Sequence, residues 1–211
     1  TGLLLSLIAA CSTLQPTGQE ATEVNQSDLN ADGTPVAAVI KDPMAEPAPL
    51  ELIKLYDQVK PLVTAKNYAQ AEVLLKQAVV SFPKHSGPHY RLARLYHQQK
   101  NAEKALTAVE ASVAINSLNY YALNLQGVIL RGLGRFDDAK NAYLLAIAAK
   151  PNYASSHLNL AILADIYLYD LPLALQHFEV YQSLQTSEDK KVAGWLLDLK
   201  RRLPKGERTN G

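Results

Sequence analysis

Alanines at positions 71, 105, 139 and 174 stand 34, 34 and 35 residues apart, and they do not recur alone. Leu75, Val109, Tyr143 and Phe178 keep the same steps, as do Ala78, Ser112, Ala146 and Tyr181, and then Pro83, Ser117, Pro151 and Thr186. A fixed period of this length means one supersecondary unit copied along the chain. Each copy is too small to bury its own apolar face and is stable only against its neighbours. Small residues at fixed places in every copy mark where two helices must touch. The chain is therefore expected to be all-α, a solenoid of about four helix pairs over residues 50–186.

The expected units are 52–85, 86–119, 120–153 and 154–186. The third is the most regular: a helix from Leu123 to Gly132, a turn at Gly134, and a helix from Phe136 to Ala149. Gly127 occupies the place held by Ala93 and Ala161 in the neighbouring units, so a larger side chain there is expected to force two helices apart. In the first unit Pro61 removes a backbone donor and is expected to kink or shorten the first helix. In the second, Ser86 is a candidate N-cap and Pro88 falls in the first turn, with the connection at Lys100-Asn101. In the fourth, the connection Tyr167 to Pro172 is one residue longer and unusually apolar. Val192, Trp195, Leu196, Leu199 and Leu203 line one side of a final helix within 187–203, opposite Lys190, Lys191, Asp198, Lys200 and Arg201. That amphipathic pattern suits a helix closing an open-ended stack. Residues 204–211 read as a polar tail.

Residues 52–186 resemble the tetratricopeptide repeat (TPR), whose pattern is W-x2-L-G-x2-Y, then A-x3-F-x2-A and a closing Pro. The third unit meets it with Leu123, Gly127, Leu130, Ala139, Tyr143, Ala146 and Pro151; the second offers His89, Leu92, Ala93, Tyr96, Ala105, Val109 and Ser112. The fourth offers His157, Leu160, Ala161, Ala164, Ala174, Phe178 and Tyr181, departing by its extra residue, and the first matches only in its second helix. The resemblance implies a right-handed superhelix whose concave face, built by the first helices, holds an extended peptide or partner helix. Mapped onto this chain, the groove would be lined by Lys60, Tyr90, Arg94, His97, Gln98, Tyr121, Asn124, Val128, Arg131, Asn159 and Ile162. Rings supply contact area, amides bond a peptide backbone, and arginine pairs with carboxylates. The two-lysine, two-asparagine carboxylate clamp of chaperone-binding relatives is not reproduced.

At the other end, Leu3, Leu4, Leu5, Leu7, Ile8, Ala9 and Ala10 form an apolar run of signal-peptide length, too short to cross a bilayer. The start Met and basic region that normally precede such a run are missing, so the natural chain is expected to extend upstream of Thr1. Leu7-Ile8-Ala9-Ala10-Cys11 resembles the lipobox of bacterial lipoproteins. This implies cleavage after Ala10, diacylglyceryl on Cys11, and, with Ser12 following, sorting to the outer membrane. Cys11 is the sole cysteine, so no intramolecular disulfide can form. Residues 12–49 lack helical periodicity and carry Pro16, Pro35, Pro43, Pro47 and Pro49. They cannot bury enough apolar surface to offset their ordering entropy and are expected to be a disordered tether. Such a coil would span roughly 35 Å on average and at most about 130 Å.

The overall charge of +1 conceals an asymmetry. Residues 12–49 hold Glu20, Glu23, Asp28, Asp32, Asp42 and Glu46 against Lys41, a net of −5, leaving +6 spread over residues 50–211. That dispersed excess is not the dense basic stripe that nucleic acid requires, so no nucleic-acid role is expected. Among the histidines, His89 and His157 fall at a packing position. His85 and His89 are separated by Gly87-Pro88, which should break any helix aligning them, and His177 has no acid at helical spacing. No phosphate loop, HExxH or GxSxG appears, so neither an enzyme nor a metal or cofactor carrier is expected. The chain reads instead as an adaptor on the periplasmic face of a Gram-negative outer membrane, binding a protein partner of the cell envelope. In organisation it is similar to small TPR lipoproteins that serve type IV pilus secretin assembly and to others that stimulate peptidoglycan synthases.

Overall fold

The computed structural model describes residues 48–203; the leader, Cys11, the tether up to residue 47 and the tail 204–211 lie outside them. Among the described residues there are nine α-helices and no strand. They are α1 Leu50–Thr64, α2 Tyr68–Ser81, α3 Ser86–Gln98, α4 Ala102–Ile115, α5 Tyr120–Gly132, α6 Phe136–Ala149, α7 Ala154–Leu163, α8 Leu171–Ser183 and α9 Lys190–Arg202. Helices pair as α1/α2, α3/α4, α5/α6 and α7/α8, each pair packs on the next, and α9 lies on α8. The all-α solenoid expected from the period is the fold observed.

The small residues decide how closely the helices nest. Ala71, Ala93, Ala105, Ala139, Ala161 and Ala174 are all fully buried. At Gly127 the requirement is strictest, because the Tyr143 ring of α6 occupies the space a Cβ would need. Leu75, Leu95, Leu123, Leu160 and Phe178 fill the spaces between helices, each burial contributing roughly 1.5–3 kcal/mol. One continuous core runs from α1 to α7, and a second cluster joins α7, α8 and α9 through Ala161, Ala174, Phe178, Val192 and Leu199. Trp195 stacks 5.6 Å from the Phe178 ring, which is how α9 covers the end of the stack.

Every hairpin turns in the same way. Lys66, Lys100, Gly134 and Tyr169 all adopt left-handed backbone, with φ of 58°, 59°, 76° and 54°. These positions follow the 34, 34, 35 steps of the alanines. The next residue opens the second helix: Asn67, Asn101 and Asp170 accept the backbone N–H of Gln70, Lys104 and Leu173 on their side-chain oxygens. In the third unit Arg135 stands there without a side-chain cap and pairs with Asp138 instead. Only one of the four left-handed residues is glycine, so composition did not mark the turn.

The extra residue of the fourth unit has a physical place. In the first three turns the amide of the N-cap residue closes onto the carbonyl five residues earlier: Asn67 to Leu62, Asn101 to Tyr96, Arg135 to Leu130. In the fourth, Asp170 donates to Ala164, six residues earlier, because Ala164–Leu168 form a π-helical turn. A single added residue absorbed as a π-turn leaves the flanking helices in register.

Several local expectations are corrected. Pro61 does not shorten α1, which runs on to Thr64 with the proline inside it; the loss is the one bond that an N–H at 61 would have given to the Asp57 carbonyl. Ser86 is the first residue of α3 rather than its cap. His85 precedes the helix without a side-chain bond, while Ser86 gives its carbonyl to the Ser112 hydroxyl and its own hydroxyl oxygen to Asn119 Nδ2. Gly87 and Pro88 do not break a helix but form the first turn of one. The third unit's first helix starts at Tyr120, three residues earlier than the sequence suggested, because buried Asn119 caps it by accepting the Ala122 N–H.

Candidate peptide-binding groove

The first helices of successive hairpins, α1, α3, α5 and α7, carry rows of residues in 34-residue register. Lys60, Arg94, Val128 and Ile162 form one row, and Tyr56, Tyr90, Asn124 and Leu158 another. The structure distributes the expected groove residues among three settings along these rows.

At the α1–α3 end lies a cavity of about 250 Å³ that takes in Lys60, Arg94 and Gln98 together with Tyr56, Asp57 and Arg91. The Arg91 guanidinium sits over the Tyr56 ring, 3.8 Å from its centroid. Burial raises the Tyr56 hydroxyl to about 12, with the nearby Arg91 charge opposing the shift. That hydroxyl reaches Gly87, where a Cβ would stand 2.7 Å from it. His97 is exposed on the next turn of α3.

In the middle, aromatic rings bridge the helices. Tyr90 and Tyr121 are 6.1 Å apart, and Tyr121 contacts Tyr120 at 4.2 Å and Tyr153 at 5.2 Å. Arg94 lies 5.8 Å over the Tyr90 ring. Burial also raises the Tyr90 hydroxyl, against the opposing charge of Arg94. The result is a partly buried aromatic platform with a cation beside it.

Toward α7 the side chains satisfy one another. Asn124 Oδ1 accepts from Asn159 Nδ2 at 3.0 Å and from the Ser156 hydroxyl at 3.3 Å, so these amides join α5 to α7. Val128 packs against the main core and Ile162 against the second cluster. Arg131 is half-buried; its Nη1 and the Tyr143 hydroxyl are both enclosed without a hydrogen-bond partner in good geometry. The register-equivalent of Arg131 is Asp165, which pairs with Arg202 of the closing helix. Burial raises Asp165 despite that pairing. The groove residues thus come together at the α1–α3 end and in the middle, whereas Asn124 and Asn159 serve the stack.

Tyr56, Arg91, Tyr153 and Ser156 were not singled out from the sequence. The period held the signal for two of them. Tyr56 lies 34 residues before Tyr90, and Arg91 is in register with Asn159.

The histidines also find a place that spacing along one helix did not suggest. His157 Nδ1 and His177 Nδ1 are 2.9 Å apart, and His157 Nε2 lies 2.9 Å from the Pro151 carbonyl. A carbonyl only accepts, so His157 is protonated on Nε2, its Nδ1 accepts, and His177 donates from Nδ1. Burial first, and the neighbouring His157 second, lower His177 to about 4. His177 therefore has a partner, an imidazole across the hairpin rather than an acid on its own helix. Among the described residues no three or more His, Cys, Asp or Glu converge as metal ligands would.

Among curated proteins no sequence match is found. Solved structures share the fold. One is described as the functional characterisation of Pseudomonas aeruginosa pilF: TM-score 0.64, 22% identity, 72% of this chain and 68% of that one covered. A crystal structure of MamA follows at TM-score 0.62 and 17% identity, covering 71% and 85%. YrrB, described as a TPR protein with an unusual peptide-binding site, gives TM-score 0.57 and 18% identity, covering 70% and 74%. At these identities the likeness is one of fold. Two sequence models of the tetratricopeptide repeat match this chain, over residues 62–126 and 120–153. Residues 62–153, from the end of α1 through α6, are therefore tetratricopeptide repeats.

Proposed function

We propose that this protein is a periplasmic adaptor, anchored to the outer membrane through a lipid on Cys11, whose groove holds an extended segment of a partner in an envelope assembly machine. The reading rests on the run of rings and cations from Lys60 through Arg94 and Tyr90 to Tyr121, which has the chemistry to grip a peptide. The described residues hold the repeats of an interaction scaffold, and the peptide-binding site ascribed to YrrB lies on the same fold. Anchoring would confine the repeats to a thin layer and raise their effective concentration for partners there. The mechanism is binding, with no bond made or broken.

Two settings fit such an adaptor: secretin assembly for a type IV pilus, and activation of a peptidoglycan synthase. A photocrosslinking residue placed at position 97 or 121 in intact cells, followed by mass spectrometry, tests the reading. The expected adduct is an envelope protein seen from these positions and not from position 80 on the outer side of α2. Secretin multimers lost on deletion point to the first setting, and co-purification with a penicillin-binding protein to the second. Adducts equal from both faces would end the groove assignment; label from radioactive palmitate surviving in Cys11→Ser would end the anchor.

A further inference from the structure

The cavity between α1 and α3 combines a buried apolar lining, Val59, Leu75 and Leu95, with charge of mostly one sign. Lys60, Arg91 and Arg94 border it against the lone acid Asp57. Among the described residues none of these three cations makes an ion pair. Farther along the first helices, toward α7, polar groups are already matched: Asp165 is held by Arg202, and Asn124 by Asn159 and Ser156.

The two arginines are supported without being used up. The Arg91 guanidinium lies 3.8 Å from the Tyr56 ring centroid, and that of Arg94 5.8 Å from the Tyr90 centroid. A ring engages the face of a guanidinium, whereas its N–H groups point outward in the plane and match the two oxygens of a carboxylate. Cations around an apolar lining suit a carboxylate on a short aliphatic stem, as in Asp or Glu. A bare, doubly charged phosphate would gain nothing from the lining and would be opposed by Asp57.

Arg94 also joins this cavity to the aromatic platform, since the Tyr90 ring beside it lies 6.1 Å from that of Tyr121. Packed helices stand about 8–10 Å apart, and an extended chain advances roughly 3.3 Å per residue. A side chain on the platform is therefore about three residues from one in the cavity.

We propose that the groove takes an acidic, extended segment of a partner protein, with an Asp or Glu set among Lys60, Arg91 and Arg94. A large apolar side chain about three residues away lies against Tyr90 and Tyr121. This rests on the adaptor reading and adds to it the chemistry of the partner. Exposed ion pairs contribute little each and are screened by salt, so the carboxylate selects the segment while the rings hold it.

The test is selection, on the immobilised full chain, of random phage-displayed peptides about twelve residues long, enough to span the cavity and the platform. One selected peptide, synthesised with both ends blocked, is then titrated by fluorescence anisotropy. The expected peptides carry Asp or Glu about three residues from Phe, Tyr, Leu or Ile. Joint Lys60→Gln and Arg94→Gln should raise Kd about tenfold with helix content unchanged, as should Tyr121→Ala. Raising NaCl from about 0.05 M to 0.5 M should raise it about fivefold. Selected peptides without an acid, or equal binding to the Lys60/Arg94 double variant, overturn the proposal; loss of that binding in Tyr121→Ala would leave the groove itself standing. Displacement by inorganic phosphate beyond that by chloride of equal ionic strength also overturns it, making the cavity a phosphate site. No enriched peptide, or binding indifferent to Tyr121→Ala as well, would end the proposal and the groove together.

Discussion

The Tyr143 ring of α6 stands where the side chain of residue 127 on α5 would begin: a Cβ on Gly127 would lie 2.4 Å from Tyr143 Cε1. No real Cβ sits that close, and both neighbours are fully enclosed, so the helices themselves would have to move.

Gly127→Ala is therefore expected to destabilise the fold by about 1–3 kcal/mol, despite the better intrinsic helix propensity of alanine. For a folded region of this size that corresponds to a fall in Tm of roughly 2–12 °C. A double-mutant cycle supplies the check. In a Tyr143→Leu background the cost of Gly127→Ala should shrink by at least about 1 kcal/mol. Equal costs in both backgrounds would deny the contact its role.

The left-handed turn residues give a prediction of opposite signs. Lys100→Gly should raise stability modestly, by up to about 1 kcal/mol, because lysine carries the Cβ clash at φ 59° and glycine does not. Gly134→Ala, at φ 76° and with open space around it, should lower stability by about 1 kcal/mol through backbone strain alone. Thermal unfolding of the pair measures both, and shifts of the same sign would contradict the common turn geometry.

Acidification should weaken the fourth hairpin through the His157–His177 pair. In the unfolded chain His177 takes up a proton near pH 6.5, whereas in the fold burial holds it at about 4. The unfolded state then binds more protons between those values, so the contribution is fully present above about pH 6.5 and is lost progressively down to about pH 4. A displacement of this size is linked to up to about 3 kcal/mol. His177→Phe should flatten the Tm–pH curve in that window, and a curve unchanged by the substitution would show that another group carries the dependence.

Removing Arg94 and Tyr121 together should weaken capture of the partner without altering helix content. Arg94 is exposed, and the half-buried Tyr121 is bounded mainly by other rings. Circular dichroism alongside pull-down from crosslinked cells reads both outcomes; intact capture by an intact fold would place the binding surface elsewhere. One such place is the fourth turn, where Tyr169 is 80% exposed beside Ile166 and Tyr167, although Tyr167 is partly engaged with the Phe136 ring at 4.7 Å.

How the sequence relates to the fold is clearest at particular residues. The spacing of Ala71, Ala105, Ala139 and Ala174 was enough to fix the hairpin, its copy number and the need for glycine at 127, because close packing of repeated helices leaves only small residues in those places. The pattern Val192, Trp195, Leu199 and Leu203 likewise foretold a closing helix, since an exposed end of a stack must be covered. What a period cannot express is contact between residues that share no register. That His157 bonds His177, that Asn124 is taken up by Asn159 and Ser156, and that Arg91 rests on Tyr56 follow from how far one helix rotates against the next. Only the assembled stack sets that rotation, through the summed packing of side chains from several helices at once. The same is true of the added residue near Tyr169: the sequence shows that it is there, and only the structure shows it taken up as a π-turn at Ala164–Leu168, with Ala174 and Phe178 of α8 buried as their counterparts in the other units are.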